Sequence, residues 1–456
     1  MPLLAAANWL DRPAVFGGCC DWTWRQIHTA SITLAGRLEG VATLGNLCNT
    51  RAGFLVTWLA ALRRGCVQWL PPSGGPAELA TMLPTGGQCG VIVDDTDTLR
   101  QQPWATQVPC LVFDPSAAVI GGSDAELAWS PDWNQLLVRL FTSGSTGTPE
   151  PQAKSLAQLV LGAQVLAERL DAAVDGGIEA LGSIVCSVPP QHMFGLEASV
   201  LLSLVVGLPV LDRRPLLPAD VRAAIERVAA GAVWVATPLH LRALVQAGDA
   251  VAHCSAVIAS TMPLALALAA RAEGLLGAPV LEIYGSTETG ALAMRRTASD
   301  AGWRLLQGVR LEATAQGTLA WGEHFASPQV LADTIQFDSS DRFSLLGRQG
   351  DLIKIAGRRA SLAGLNLLLA ELPGLIDGVF YLPATGAAVE RLVLIHGGAA
   401  LDRATTEAWL RERMDPVFLP RTVIHVDRLP RAANGKLPRW ALDEVFNAWV
   451  AGKAPP

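Results

Sequence analysis

The sequence predicts an α/β protein: a large N-terminal body of layered, mostly parallel β-sheets and helices, then a small C-terminal α+β domain. Three observations predict it. Short apolar runs of strand length alternate with helix-length apolar patterns. The texture changes after residue 347, where GRQGDLIKIAGRR is polar and glycine-punctuated. The 456 residues are 50% hydrophobic and only 17% charged, which supplies a large core and excludes a disordered chain.

In chain order, the helical stretch FLVTWLAALRRG (54–65) precedes the strand candidates VIVDD (91–95), CLVFD (110–114) and LLVRLF (136–141). SLAQLVLGAQVLAERL (155–170) puts Leu156, Leu159, Val160, Ala163 and Leu170 near one helical face, so the turn before it is expected to join a strand to a helix. SIVCSV (183–188) follows as a strand, and ASVLLSLVVGLPVL (198–211), preceded by Glu197, reads as a buried core helix too short to span a bilayer. PADVRAAIERVAAG (218–231) reads as a helix, and AVWVAT (232–237), SAVIAS (255–260) and PVLEIYG (279–285) as strands. Past a boundary placed near 347–351, VFYLPA (379–384), RLVLIHG (391–397) and RTVIHVDRLP (421–430) are the expected strands of the smaller unit. The domains are therefore expected at 1–347 and 348–456.

A net charge of −6 gives no basic footprint for nucleic acid. No stretch resembles a signal peptide, and the eight cysteines form no CxxC pair. Reduced, mostly buried thiols in a cytoplasmic protein are the expectation.

Two donor-rich loops follow strands, the position where α/β sheets bind ligands. In RLFTSGSTGTPEPQAKSL (139–156), Gly144 and Gly147 let backbone N–H groups turn toward an anion. The hydroxyls of Thr142, Ser143, Ser145 and Thr146 add donors. No GKS or GKT ends the turn, so it is not a Walker A loop. In LEIYGSTETGALA (281–293), Gly285 and Ser286 lead to Thr287 and Glu288. A carboxylate beside a phosphate site suits Mg²⁺, whose ligands are a few carboxylates plus phosphate oxygens. Tyr284, one of two tyrosines, is placed either to stack on a purine or to pack in the core.

Together these loops resemble those of the adenylate-forming enzyme superfamily, which includes acyl-CoA synthetases, aryl-acid ligases, adenylation domains and luciferases. FTSGSTGTP resembles its phosphate loop, PPQHMFGLE (189–197) its acyl-pocket motif, and IYGSTETG its Mg/adenine motif. LADTIQF carries Asp333 where a Thr-Gly-Asp motif normally stands, GRQGDLIKIAGRR resembles the hinge, and LPRAANGKLPR (429–439) the C-terminal lysine motif. The likeness runs through nearly the whole chain in the family's order.

The resemblance implies a mobile C-terminal domain and a two-step reaction. A carboxylic acid attacks the α-phosphate of ATP, and a pantetheine thiol, of CoA or of an acyl carrier protein, then takes the acyl group from AMP. It implies that Lys436 bridges the carboxylate and α-phosphate, that Thr287 bonds the α-phosphate, and that Glu288 binds Mg²⁺. Asp333 and Arg348 would hold the ribose hydroxyls. His192 would line the acyl channel, either as a gate or as a packed histidine.

The chain departs from that pattern at Glu150, where most relatives carry a lysine; Lys154 follows four residues later. Lys154 folding back to the phosphates, a pyrophosphate held without that charge, and a degraded, non-catalytic loop all remain open. Gly350-Asp351 replaces the usual Asp-Asp of the hinge, and ASTMPL (259–264) replaces the usual SGGAPL turn. Ser260 and Thr261 should narrow that end of the cavity. No Asp in SVPPQHMFGLEASV is placed to hold a substrate ammonium. A compact aryl or short acyl acid is therefore expected, in the manner of hydroxybenzoate or cinnamate. The length and the LPPS turn (70–73) most resemble ligases of aryl-polyene clusters. The alternatives are a non-catalytic nucleotide-binding relative and a stand-alone amino-acid adenylation enzyme.

Overall fold

The computed structural model describes residues 9–71, 88–96, 109–114, 130–143, 149–228, 231–348, 352–355, 357–383, 391–431 and 437–453. An eleven-stranded sheet has Leu181–Cys186, Gly231–Ala236, Cys254–Ala259 and Val280–Ser286 at its centre, each parallel to the next. These strands are covered on both faces, which their continuous apolar character requires. Val233 and Val235 enter one core, while Ala232, Trp234 and Ala236 enter the other.

Beyond Val280–Ser286 the sheet turns antiparallel, through Gly290–Arg296, Trp303–Leu305, Arg342–Arg348 and Asp333–Phe337. This flank extends the mostly parallel architecture expected from the sequence. A six-stranded sheet runs Cys110–Val112, Cys89–Val93, Thr43–Asn46, Val67–Leu70, Leu136–Ser143 and Pro149–Ser155, and only the last pair is antiparallel. One buried cluster joins the two sheets: Leu44, Ile92 and Val138 share it with Ile184, Val235 and Ile258.

The first donor-rich turn connects two strands, not a strand and a helix. Leu136–Ser143 pairs with Pro149–Ser155 out to Ser143↔Pro149, and the helix Leu156–Asp171 begins only afterwards. Pro149 and Pro151 alternate along the second strand, so their missing N–H groups fall on one side. That side is the edge of the sheet, where a strand tolerates proline. Ser155 caps the helix, accepting from Gln158 N while the Gln158 side chain accepts from Ser155 N.

The core helix expected after Glu197 is a helical run over 193–206 with a π-helical segment, Leu196–Leu201, inside it. Gly207, at φ 77°, ends the run. The helix expected at 218–231 spans Pro218–Glu226, and Gly231 already opens the next strand.

The C-terminal part builds a hairpin, Leu352–Ile355 with Arg358–Ser361, and a three-stranded sheet of Asp377–Tyr381, Val393–Gly397 and Thr422–Val426. Its buried clusters draw only on this part, from Ile353 to Val445. It meets the body at the helix Pro238–Ala247, where Arg242 Nη1 donates to Ile376 O at 3.3 Å and stands 4.0 Å from the Asp377 carboxylate. Asp377 is held in turn by Arg431 through two bonds of 2.7 Å. Among the described residues no helix is long and apolar enough to cross a membrane.

Candidate active site

The second donor-rich loop is a tight hairpin tip. Gly285 faces Ala291 and Ser286 faces Gly290 across the ladder. A Cβ on Gly285 would lie 2.1 Å from Gly290 O, and Gly290 itself sits at φ +73°, so both positions require glycine. Ser286 N donates to Thr289 Oγ1 at 3.1 Å, and Thr289 Oγ1 donates to Gly290 O at 2.8 Å. The tip thereby uses its outer hydroxyls on itself and leaves Thr287 and Glu288, both half-buried, at its apex. No hydrogen bond or ion pair to the Glu288 carboxylate is found among the described residues, so a hard oxygen donor is available there. That chemistry fits Mg²⁺ completed by phosphate oxygens. No group of three or more His, Cys, Asp and Glu is set to hold a metal among the described residues.

Tyr284, at the base of the tip, packs its ring against Trp303 and Phe343 with centroids 5.5 and 5.6 Å away. Its phenol donates to Asp333 Oδ2 at 2.8 Å. Asp333 opens the strand Asp333–Phe337 and faces Arg348 in the ladder. Tyr284, Asp333 and the Arg348 backbone are thus brought to one corner, beside the Glu288 tip.

The turn 259–264 lies next to this corner. Ser260 Oγ donates to Ile283 O at 3.1 Å, and Leu264 N donates to Glu282 Oε1 at 3.0 Å. Glu282 is buried and also accepts from Arg295 Nε and Thr297 Oγ1, each at 2.8 Å. Burial pushes its pKa up, and Arg295 and Thr297 partly oppose that. Thr261 adopts φ 84°, a left-handed conformation that a β-branched residue rarely takes. Its buried hydroxyl finds no hydrogen-bond partner among the described residues.

His192 Nδ1 accepts from Phe194 N at 3.3 Å and caps the short helix Met193–Gly195. With Nδ1 accepting, Nε2 is the ring nitrogen that carries hydrogen. The neighbouring Gln191 donates to Cys48 O at 2.8 Å, tying this segment to the six-stranded sheet.

Lys154 is 3% exposed, and its Nζ donates to Glu288 O at 2.9 Å. Burial pushes its pKa down to about 8, with the Glu197 and Glu288 carboxylates pulling the other way. Glu197, also 3% exposed, accepts from Ala291 N at 3.1 Å. Burial pushes its pKa up to about 7 against the pull of Lys154. Ala291 O accepts a hydrogen bond from His324 Nε2 at 2.9 Å; since a carbonyl only accepts, that nitrogen carries the hydrogen. Burial drops the His324 pKa to about 4, so the ring is neutral at pH 7.

Of the residues singled out in the sequence, Tyr284, Gly285, Ser286, Thr287, Glu288, Asp333 and Lys154 converge here. His192 stands on the acyl-pocket segment, and Glu150 is exposed at the edge strand. Gly144, Ser145, Thr146, Gly147, the hinge pair Gly350-Asp351 and Lys436 lie outside the described residues, as do the side chains of Thr142, Ser143 and Arg348. The sequence reading did not assign Glu197 and His324 to this cluster. A carboxylate opening an otherwise apolar run was the available signal for Glu197; His324 left none.

A family profile described as "AMP-binding enzyme" matches residues 4–315. The chain is 27% identical to a 4-coumarate–CoA ligase of Cereibacter sphaeroides over 66% of its own length and 69% of that protein. It is 23% identical to enterobactin synthase component F of Shigella flexneri over 99% of its length, which is only 40% of that larger protein. Among solved structures, ATP-bound MatB from Rhodopseudomonas palustris superposes with a TM-score of 0.79 at 18% identity, covering 97% of both chains. The anthranilate CoA ligase AuaEII in complex with anthranoyl-AMP superposes at 0.79 and 15% identity, covering 99% of this chain and 97% of that one. These superpositions establish an adenylate-forming fold, and with the profile match over residues 4–315 the chain belongs to the AMP-binding enzyme family.

Proposed function

We propose that the protein activates a compact aryl or short acyl carboxylic acid with ATP and passes the acyl group to a pantetheine thiol. The observation that carries this reading is the corner where Tyr284 holds Asp333 at 2.8 Å beside the tip bearing Thr287 and Glu288. A ribose diol donates well to a carboxylate oriented in that way, and phosphate would then fall against the tip.

In the first step an acid oxygen attacks the α-phosphorus, the bond to the β-phosphate oxygen breaks, and pyrophosphate leaves. Two anions must meet, so positive charge and donors have to be concentrated at the α-phosphate. Thr287 donates there, and Lys436, carried by the C-terminal part, supplies the cation that bridges both reactants. Glu288 would hold a Mg²⁺ ion, which would supply neutralising charge at the phosphates. Lys154, engaged with Glu288 O, leaves the pyrophosphate to backbone, hydroxyls and metal. In the second step the thiol sulfur attacks the acyl carbon, AMP departs with the bonding pair, and the thiol proton is released. A swing of the C-terminal domain at 347–351 would withdraw Lys436 and admit the thiol.

Two features support the choice of acid. Glu197, the carboxylate that closes the acyl-pocket segment, is buried on Ala291 N and unavailable to a substrate ammonium. Thr261 fills space that a glycine would leave open. The 4-coumarate and anthranilate substrates in the names of similar proteins are aryl acids of this size. An acyl carrier protein is the proposed acceptor, with CoA as the competing outcome. ATP–pyrophosphate exchange over aryl, short acyl, fatty and amino acids, with Lys436→Ala as control, tests the reading. Exchange confined to amino acids, or none in any panel member, overturns it.

A further inference from the structure

Lys154, Glu197 and His324 come from separate elements: an edge strand, a π-helical segment and the loop after the strand Gly317–Trp321. All three are almost wholly buried, at 3% exposure each, and all three close on the underside of one hairpin tip. Lys154 takes the carbonyl of Glu288 at 2.9 Å, while Glu197 and His324 take the N–H and the C=O of Ala291 at 3.1 and 2.9 Å. The space is cut for the carboxylate. A Cβ on Gly162 would stand 2.8 Å from Glu197 Oε1, and one on Gly290 would stand 3.0 Å from it. The π-helical segment re-aims its side chains relative to an α-helix, a distortion that recurs at functional sites.

We propose that Lys154 and Glu197 are positioning residues that fix the Glu288 tip from beneath and lock it to the strand leaving the first donor-rich turn. This rests on the ATP-dependent reading above and assigns Lys154 a role through Glu288, not through a phosphate. Lys154 stands on Pro149–Ser155, the strand that continues from that turn, so its bond to Glu288 O ties this strand to the Glu288 tip. The carboxylate of Glu288 is thereby aimed by its own carbonyl. Loosening that carbonyl disturbs metal-dependent phosphate binding and leaves the adenosine corner, held by Tyr284 and Asp333, intact.

The test uses Lys154→Met, Lys154→Arg, Glu197→Gln and the double variant Lys154→Met/Glu197→Gln, with folding followed by circular dichroism and thermal unfolding. Calorimetric titrations with MgATP and with AMP, which needs no metal bridge, give the readout. The expected result for Lys154→Met is about a tenfold weaker MgATP affinity with AMP affinity unchanged within twofold, and a rise in the Mg²⁺ needed for half-maximal ATP binding. Lys154→Arg recovers part of the loss. The double variant, neutral throughout, folds as well as wild type yet keeps the MgATP defect. Equal affinities for MgATP in a folded Lys154→Met or double variant overturn the proposal, as does a parallel loss of MgATP and AMP binding. Failure of the underlying reading shows separately, as wild-type protein that binds neither nucleotide.

Discussion

Removing one oxygen, by Tyr284→Phe, isolates the nucleotide corner. The phenol donates to Asp333 Oδ2 at 2.8 Å, and the phenyl ring of the variant would keep the contacts to Trp303 and Phe343. A hydrogen bond to a charged acceptor contributes about 1.5–3 kcal/mol. Asp333 is half-buried, so water recovers part of that loss, which leaves about 1 kcal/mol for the orientation of the carboxylate. The expected outcome is about a fivefold rise in KM for ATP with kcat little changed. Pyrophosphate exchange with ATP and with 2′,3′-dideoxy-ATP then forms a double-mutant cycle. If Asp333 receives the ribose hydroxyls, the Tyr284→Phe penalty vanishes with the dideoxy nucleotide. An equal penalty with both nucleotides, or none with ATP, refutes the placement of the ribose.

Gly285→Ala forces a methyl to within 2.1 Å of Gly290 O, and overpacking of this kind costs about 1–3 kcal/mol; urea unfolding should show that loss together with weakened MgATP binding. Thr261→Gly relieves the φ of 84°, and the relief, less the entropy glycine brings to the unfolded chain, leaves a gain of about 1 kcal/mol. The same variant should accept bulkier acids in the exchange panel, and an unchanged substrate profile counts against the 259–264 turn as a wall of the pocket. His324 carries a pKa of about 4 in the folded protein against an ordinary 6.5, so protonation favours the unfolded chain. Its contribution is present above pH 6.5 and lost as the pH falls toward 4, by roughly 3 kcal/mol in full. Urea midpoints measured from pH 7 to pH 4.5 should fall more steeply for wild type than for His324→Gln, and parallel curves would deny the buried neutral ring.

The parallel centre of the large sheet was legible because its strands are buried on both faces and read as unbroken apolar runs, as in Gly231–Ala236 and Cys254–Ala259. The helix start at Ser155 was legible because its cap chemistry is local. The antiparallel flank was not. Its outermost strand, Asp333–Phe337, is short and largely exposed, so it writes no hydrophobic period into the sequence. Pro149–Ser155 hid for a related reason, since an edge strand carrying two prolines resembles a loop. In the candidate site, Thr287 and Glu288 declared themselves through glycine turn chemistry. The bonds of Lys154 and Glu197 to the tip did not, because they depend on how a π-helical segment and a sheet edge meet in space.

The shared carboxylate at the domain contact has a mechanical consequence. Asp377 keeps its two bonds to Arg431 whatever the tail does, because both residues belong to it. Were the tail to move as proposed, the ties to part there would include Arg242, 4.0 Å from that carboxylate and on the carbonyl of Ile376, and the weak 3.8 Å contact from Arg431 Nη1 to Met262 Sδ. With side chains only 14% and 17% exposed, the Arg242–Asp377 contact is largely shielded from salt. If the tail swings as proposed, this joint acts as a detent: it centres the tail at rest, and the Arg242 tie, not the Asp377–Arg431 pair, is the one that parts.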